Sequence, residues 1–471
     1  MTVAATELVL TAFVVVMLIS QLLSLRARVP YTLILVFIGI GITALVSLPS
    51  LGSNAVLDGL RDVVSQMKSL YTGLVGGGLF VGIIVPPLIF EAMMHISAAD
   101  LRAVIRPSIV LATVGVAIAT VVGGIVLWQL AGLSLAVSFL FAAIIAPTDV
   151  VTVLEVFRRA QVPSKLATLM DTEAAFNDAT GIVVFSIVLS SLALPRVPVL
   201  STILLFGYTL VGGAVVGFLV AYGARWISTT IKDALAEITL SIAAVYGSYV
   251  FATGLGVSGL IAVAVVGLHF GNVTMRAPMG PEVKTSILSF WQIAAFLGNS
   301  VAFLLIGFET NLSVLSQSIF LILVAYLGVT IARAASVYPI LGIFNQLGYR
   351  IPITWSNTAM IGGVRGALSI ALAASLGAVT AVSAADTQTI TTMVLGVAFL
   401  SIVIQAPLMA RYVKRRFANQ ETLESTSDVW ASPTGSLTIQ FRFFWRWLPQ
   451  VVRTSREVRL SCFRHGRHQF W

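Results

Sequence analysis

The sequence predicts an all-α polytopic membrane protein of about 13 transmembrane helices, and three observations carry that expectation. Of 471 residues, 58% are hydrophobic and only 10% are charged, where a soluble domain carries about 25% charged residues. The apolar residues gather into thirteen runs of a length that suits a bilayer. Lysine and arginine are shared unevenly between the loops that alternate on the two sides.

In order, the runs span 6–25, 31–48, 72–95, 107–130, 134–156, 165–194, 200–228, 234–252, 256–272, 285–308, 316–345, 352–379 and 385–412. Glu7 and the lack of a basic residue before the first run make it a membrane helix, not a cleaved signal peptide. Place the N-terminus outside. The inside loops and their flanks then hold Arg26, Arg28, Arg102, Arg106, Arg158, Arg159, Lys165, Arg225, Lys232, Arg276, Lys284 and Arg350. The outside loops hold only Arg61, Lys68 and Arg196. From Arg411 on, the chain falls inside with eleven more basic residues, as the positive-inside rule expects. Residues 1–415 thus form a membrane domain, N-out and C-in, and 416–471 a cytoplasmic tail.

The single cysteine, Cys462, excludes an intrachain disulfide framework, and His465 with His468 is too little for a metal site. No cofactor is expected. In the tail, residues 418–438 read as a polar linker. FRFFWRWLPQVVRTSREVRL then interleaves aromatics with arginines, the pattern of an interfacial amphipathic segment on anionic lipid. Nucleic-acid binding, the other reading of a basic run, does not suit a segment tethered to a membrane.

Glu91, Asp149, Glu173, Asp178, Arg333 and Arg365 lie well inside the apolar runs. Glu309 and Asp171 lie near run ends. Charges at membrane depth are rare and mark transport paths, or else buried ion pairs that fix helix packing. Asp178 sits about thirteen residues into its run, roughly 20 Å at 1.5 Å per residue, near the bilayer midplane.

Two runs are broken. The fifth contains AAIIAPTDVV, where Pro147 removes a backbone hydrogen bond just before Thr148 and Asp149. The twelfth contains MIGGVRGALS, with Gly362, Gly363 and Gly366 around Arg365. Seven runs apart, they suit an inverted repeat with two interrupted crossing helices, the arrangement that places a transporter's site at the midplane. Gly76-Gly77-Gly78 and Gly212-Gly213 read as close helix packing.

These residues bound the chemistry. A hard monovalent cation takes oxygen ligands, and Asp178, Thr148 and the unwound carbonyls near Pro147 supply them. Taking a carboxylate out of water disfavours its charged form. The same group can therefore hold a proton or a cation, and alternating access turns that competition into cation/proton exchange.

FNDAT at 176–180, preceded by Glu173, resembles the central motif of the sodium/proton exchanger branch of the monovalent cation/proton antiporters, prokaryotic-type with a short tail. PPLIFEA at 86–92, PTDV at 147–150, ARAASVY at 332–338 and GGVRGALS at 362–369 resemble that family's other motifs in the right order, over about residues 5–415. The resemblance implies an electroneutral sodium (or lithium)/proton antiporter, not an enzyme, with a potassium/proton antiporter as the alternative. A channel-like or non-transporting protein on the same scaffold is a second alternative. Asp178 is then the ion- and proton-binding aspartate. Thr148, Asp149, Asn177 and Glu91 complete the ion site, with Asp178, Thr148 and Glu91 as ligands of the transported sodium. Asn177 hydrogen-bonds Asp149 across the crossing, Glu173 and Arg365 form a buried ion pair, and Arg333 is structural or gating. A homodimer in the cell membrane, serving pH homeostasis, is implied as well. Two positions depart from the family: Ala174 replaces a common serine, and Val150 a common proline.

Three further residues carry blander readings. His95 and His269, at helix ends, are satisfied or solvated histidines or pH sensors. Asp171, one heptad before Asp178, caps the inner cavity or draws cations into it.

Overall fold

The computed structural model describes residues 3–27, 31–47, scattered positions between 59 and 69, 79–149, 157, 162–193, 199–231, 233–275, 280–309 and 312–417. Among them there is no strand. The main helices are α1 (Val3–Ala27) and α2 (Tyr31–Ser47), α3 (Val85–His95), α4 (Ala98–Ala131) and α5 (Leu135–Ile145). They continue as α6 (Ser164–Ala193), α7 (Val199–Ser228), α8 (Ala234–Gly254), α9 (Gly259–Thr274) and α10 (Pro281–Glu309). The last four are α11 (Ile319–Phe344), α12 (Ile353–Ile361), α13 (Ala367–Ser375) and α14 (Ala384–Phe417). Among the described residues, each apolar run falls on one of these helices, and the twelfth on two, α12 and α13. Seven described helices are long and apolar enough to cross a membrane by length and composition.

Local chemistry sets the boundaries. Ser97, Ser134, Asp233, Ser258 and Ser383 each accept a backbone N–H of the helix that follows, satisfying a donor that the first turn would leave bare. The Ser97 cap starts α4 well before residue 107. Arg102 and Arg106 therefore lie on the helix, not in a loop, and Arg106 donates to the Tyr349 hydroxyl at 3.3 Å. Gly132 ends α4 in the left-handed region, φ 65°.

The helices pack around two apolar clusters. One gathers Phe141, Ile144, Leu169, Met170, Val337, Leu372 and Met409 from α5, α6, α11, α13 and α14. The other gathers Phe90, Met93, Val263, Ile287 and Trp291 from α3, α9 and α10. α6 and α10 belong to both. Leu169 and Phe303 go to the first cluster, Ala175 and Trp291 to the second. The seam between the bundles thus runs along α6 and α10.

Gly213 belongs to the small-residue run expected to bring helices together, and it does so. A Cβ there would lie 2.5 Å from the Ser258 carbonyl at the start of α9. The other run, 76–78, lies outside the described residues. On the outside of α7, Leu204, Tyr208, Val211, Leu219, Tyr222 and Trp226 are each more than half exposed. Only hydrocarbon or another apolar protein surface would cover such a face. The chain divides into Met1–Ala418 and Asn419–Trp471. The tail with its expected interfacial segment lies outside the described residues.

Candidate functional site

α6 is a single unbroken helix of 30 residues, and Asp178 is the fifteenth of them. Its two faces do different work. Asp171, Ala174, Ala175 and Asp178 form one stripe at helical spacing and line a cavity of about 80 Å³. That is room for several waters or a partly hydrated ion. Glu173 and Asn177, one turn apart, are fully buried on the other face.

The cavity is closed on another side by the expected break of the fifth run. α5 stops at Ile145, and Pro147, Thr148 and Asp149 run on without helical structure to join the cavity wall. The twelfth run breaks too. Gly362 to Gly366 separate α12 from α13. The two breaks touch each other: the Asp149 N–H donates to the Val364 carbonyl at 2.8 Å. The contact is so close that a Cβ on Gly366 would lie 2.3 Å from the Asp149 Cβ, so only glycine fits there. α6 presses on the same crossing, where a Cβ on Gly181 would meet Pro147 Cγ at 2.1 Å. Asp149 therefore stands beside the N-terminus of α13, whose unpaired N–H groups favour a negative charge. Asp149 and Asp178 are near enough for their charges to interact.

Three sequence expectations need correction. Glu173 does not pair with Arg365. Its two carboxylate oxygens are held by the Arg333 guanidinium, the Nη2 to Oε2 contact at 3.0 Å. Arg333 Nε and Nη2 also donate to the Ala359 carbonyl in the last turn of α12. Arg365 instead donates through Nη1 to the carbonyls of Ala146 and Pro147, at 2.7 and 3.0 Å. The reason is the broken backbone. A helix C-terminus leaves carbonyls without partners and a partial negative charge, and each arginine reaches the end of a different interrupted helix. Arg365 acts on Glu173 only at longer range.

The second correction concerns Asn177. Its amide donates to Thr148 Oγ1 at 2.8 Å, not to Asp149. Thr148 stands one residue nearer along the break and is almost fully buried. The third concerns Glu91, which is buried on α3 but is not on the cavity wall. α3 lines the cavity with Val85, Leu88, Ile89 and Ala92. Glu91 lies on a different face, with its Oε1 3.6 Å from His95 Nδ1. His95 in turn hydrogen-bonds the Glu91 carbonyl oxygen at 2.8 Å, a satisfied helix-end histidine. His269 packs edge-on against Phe218. Asp171 is on the cavity wall itself, and Ala174 lines it without offering an oxygen. Val150 lies outside the described residues.

Known proteins agree with this architecture. The family described as sodium/hydrogen exchanger, transmembrane, matches residues 9–415. The chain belongs to that family. It is 32% identical over 413 residues to the Na+/H+ antiporter ApNhaP of Aphanothece halophytica, covering 87% of this chain and 74% of that one. It is 33% identical over 345 residues to the Na+/H+ antiporter NhaP of Pseudomonas aeruginosa, covering 71% and 80%. The fold is similar to that of the sodium proton antiporter MjNhaP1 from Methanocaldococcus jannaschii, with a TM-score of 0.66, 22% identity, and coverage of 88% of this chain and 100% of that one. Family membership places the chain among multi-pass membrane ion exchangers and not among enzymes.

Two polar cavity residues are not singled out by the sequence, Asn299 on α10 and Ser369 on α13. Ser369 lies within the GGVRGALS motif, where the arginine draws the eye. Asn299 is a lone amide in an apolar stretch, FLGNSVAF, a weak signal without the fold.

Proposed function

We propose that this exchanger moves sodium in one direction and protons in the other by alternating access, with the two ions competing for Asp178. One observation carries the proposal. Asp178 is a carboxylate midway along a membrane-length helix, and it opens into a cavity at the crossing of two broken helices. The relatives named as Na+/H+ antiporters support sodium as the cation. Thr148, on the same wall, offers a hydroxyl oxygen to the cation. Asn177 fixes that hydroxyl by bonding to it. Asp149 and Asp171 add negative charge that attracts a cation and is not itself exchanged. The cavity lies on the seam between the bundles, where a sliding of one bundle past the other would open it to alternate sides.

The same geometry argues for one cation per proton. Asn177 cannot take up and release a proton near neutral pH. Asp149 stays an anion beside the N-terminus of α13. Only Asp178 changes its occupant, so no net charge crosses, and the membrane potential does not drive the cycle. The test uses proteoliposomes with an internal pH dye, challenged in turn with sodium, lithium and potassium, with and without a potassium–valinomycin potential. Sodium is expected to move protons at an equilibrium independent of the potential. Proton movement with potassium alone would make potassium the substrate. A potential-dependent equilibrium would sink the one-for-one exchange and make Asp149 a second carrier.

The exchanger is proposed to work as a homodimer in the cell membrane, N-terminus out and C-terminus in, with its basic tail on anionic lipid. The broad apolar face of α7 supports an apolar surround, and a two-fold pair is the commonest symmetric assembly. Native mass measurement in mild detergent is expected to give a dimer. A monomer alone would refute it.

A further inference from the structure

We propose that Asn299 is a ligand of the transported cation, contributed by α10, and that it sets the exchanger's affinity for sodium. The proposal rests on the reading of the cavity as the transport site. Asn299 is 8% exposed and lies about two-thirds of the way along α10, and its side chain makes no hydrogen bond with any described residue. An amide that has no protein partner and is not sealed off is satisfied by water or by an ion. The area it does expose faces the cavity that Asp178 lines.

The rest of that wall makes Asn299 stand out. From α3 the cavity receives Val85, Leu88, Ile89 and Ala92, all apolar. From α6, Ala174 and Ala175 lie beside Asp178 and offer no side-chain oxygen. The oxygens come from Asp149, Asp171, Asp178, Thr148 and Ser369, all carried by α6, α13 or the break after α5. Asn299 is the single polar side chain that α10 and α3 place on the described wall. A hard cation needs several oxygens, and an amide oxygen supplies one without adding charge. The one-for-one exchange is therefore kept. α10 packs into both apolar clusters, through Ile287 and Trp291 on one side and Phe303 and Phe308 on the other. A cation held by Asp178 and Asn299 together would link α6 to α10 at the seam, a link that a proton on Asp178 does not make.

The experiment is sodium-driven proton movement in proteoliposomes, run as a sodium titration, with the melting temperature of each purified protein measured in detergent. Asn299→Ala is expected to raise the sodium concentration for half-maximal exchange roughly tenfold. Its maximal rate is expected to stay within about twofold of the native protein. Asn299→Ser, which keeps an oxygen, is expected to fall between the two. It also carries the test if the alanine variant does not fold. Half-saturation unchanged in both variants would overturn the ligand role, and so would a lowered melting temperature and maximal rate with half-saturation unchanged. If the native protein itself moves no protons with sodium, lithium or potassium, the transport reading of the cavity fails. Normal native exchange with an indifferent Asn299→Ala sinks this inference alone.

Discussion

Asp178→Asn is expected to abolish cation-driven proton movement while the protein still inserts and folds. The substitution changes almost nothing in shape. It replaces a group that can carry a negative charge, a proton or a cation with an amide that neither ionises nor protonates near neutral pH. The folded state does not depend on the Asp178 charge, because that side chain opens into the cavity and makes no ion pair among the described residues. The melting temperature of the variant should therefore match or exceed that of the native protein. Its vesicles should show only the proton leak of empty ones when sodium is added. Near-native rates from the purified variant would remove Asp178 from the mechanism. The whole reading of the cavity would then have to move to Asp149 or Asp171.

The second large effect is on stability. Arg333→Ala leaves Glu173 with both oxygens unpaired at 1% exposure, and removes two donors from the Ala359 carbonyl. Breaking a buried ion pair by deleting one partner costs about 3–5 kcal/mol, because the remaining charge is stranded away from water. Removing both charges costs far less, since neither is left alone. Arg333→Met together with Glu173→Met is thus expected to recover much of the melting temperature that Arg333→Ala loses. Arg365→Ala should not show this pattern with Glu173, as its guanidinium holds backbone carbonyls instead. A normal melting temperature for Arg333→Ala, or a cycle in which Glu173 couples to Arg365 rather than Arg333, would contradict the pairing.

Glu173 pairs with Arg333 and not with Arg365 for a reason that no single segment carries. Both arginines are buried charges in apolar runs, and from the chain alone either can reach Glu173. What decides is the lateral register of α6 against α11 and the break of the twelfth run. Register between helices distant in sequence depends on how side chains interlock, not on any pattern within one segment. The one-residue shift from Asp149 to Thr148 as the partner of Asn177, and the turn of Glu91 away from the cavity, have the same origin. A helix face is legible from spacing, but which neighbour that face meets is not. Asn299 shows the converse. A single amide in an apolar helix carries little weight until the fold places it against a cavity.

The sequence by itself determined that this is a helical membrane protein, where its helices run, and that the fifth and twelfth runs are broken. It also put Asp178 midway along its helix, and Glu173 and Asn177 together on one face of that helix. These follow from local physics. Apolar length is matched to the bilayer, proline and glycine interrupt backbone hydrogen bonds, and residues four apart share a face. Only the tertiary structure decided which arginine neutralises Glu173, that Arg365 serves the carbonyls of the opposing break, and that α10 supplies Asn299 to the cavity. Those outcomes depend on contacts between segments more than a hundred residues apart. There the free energy lies in pairing every buried charge and open helix end with some partner, and only the packed fold selects which one.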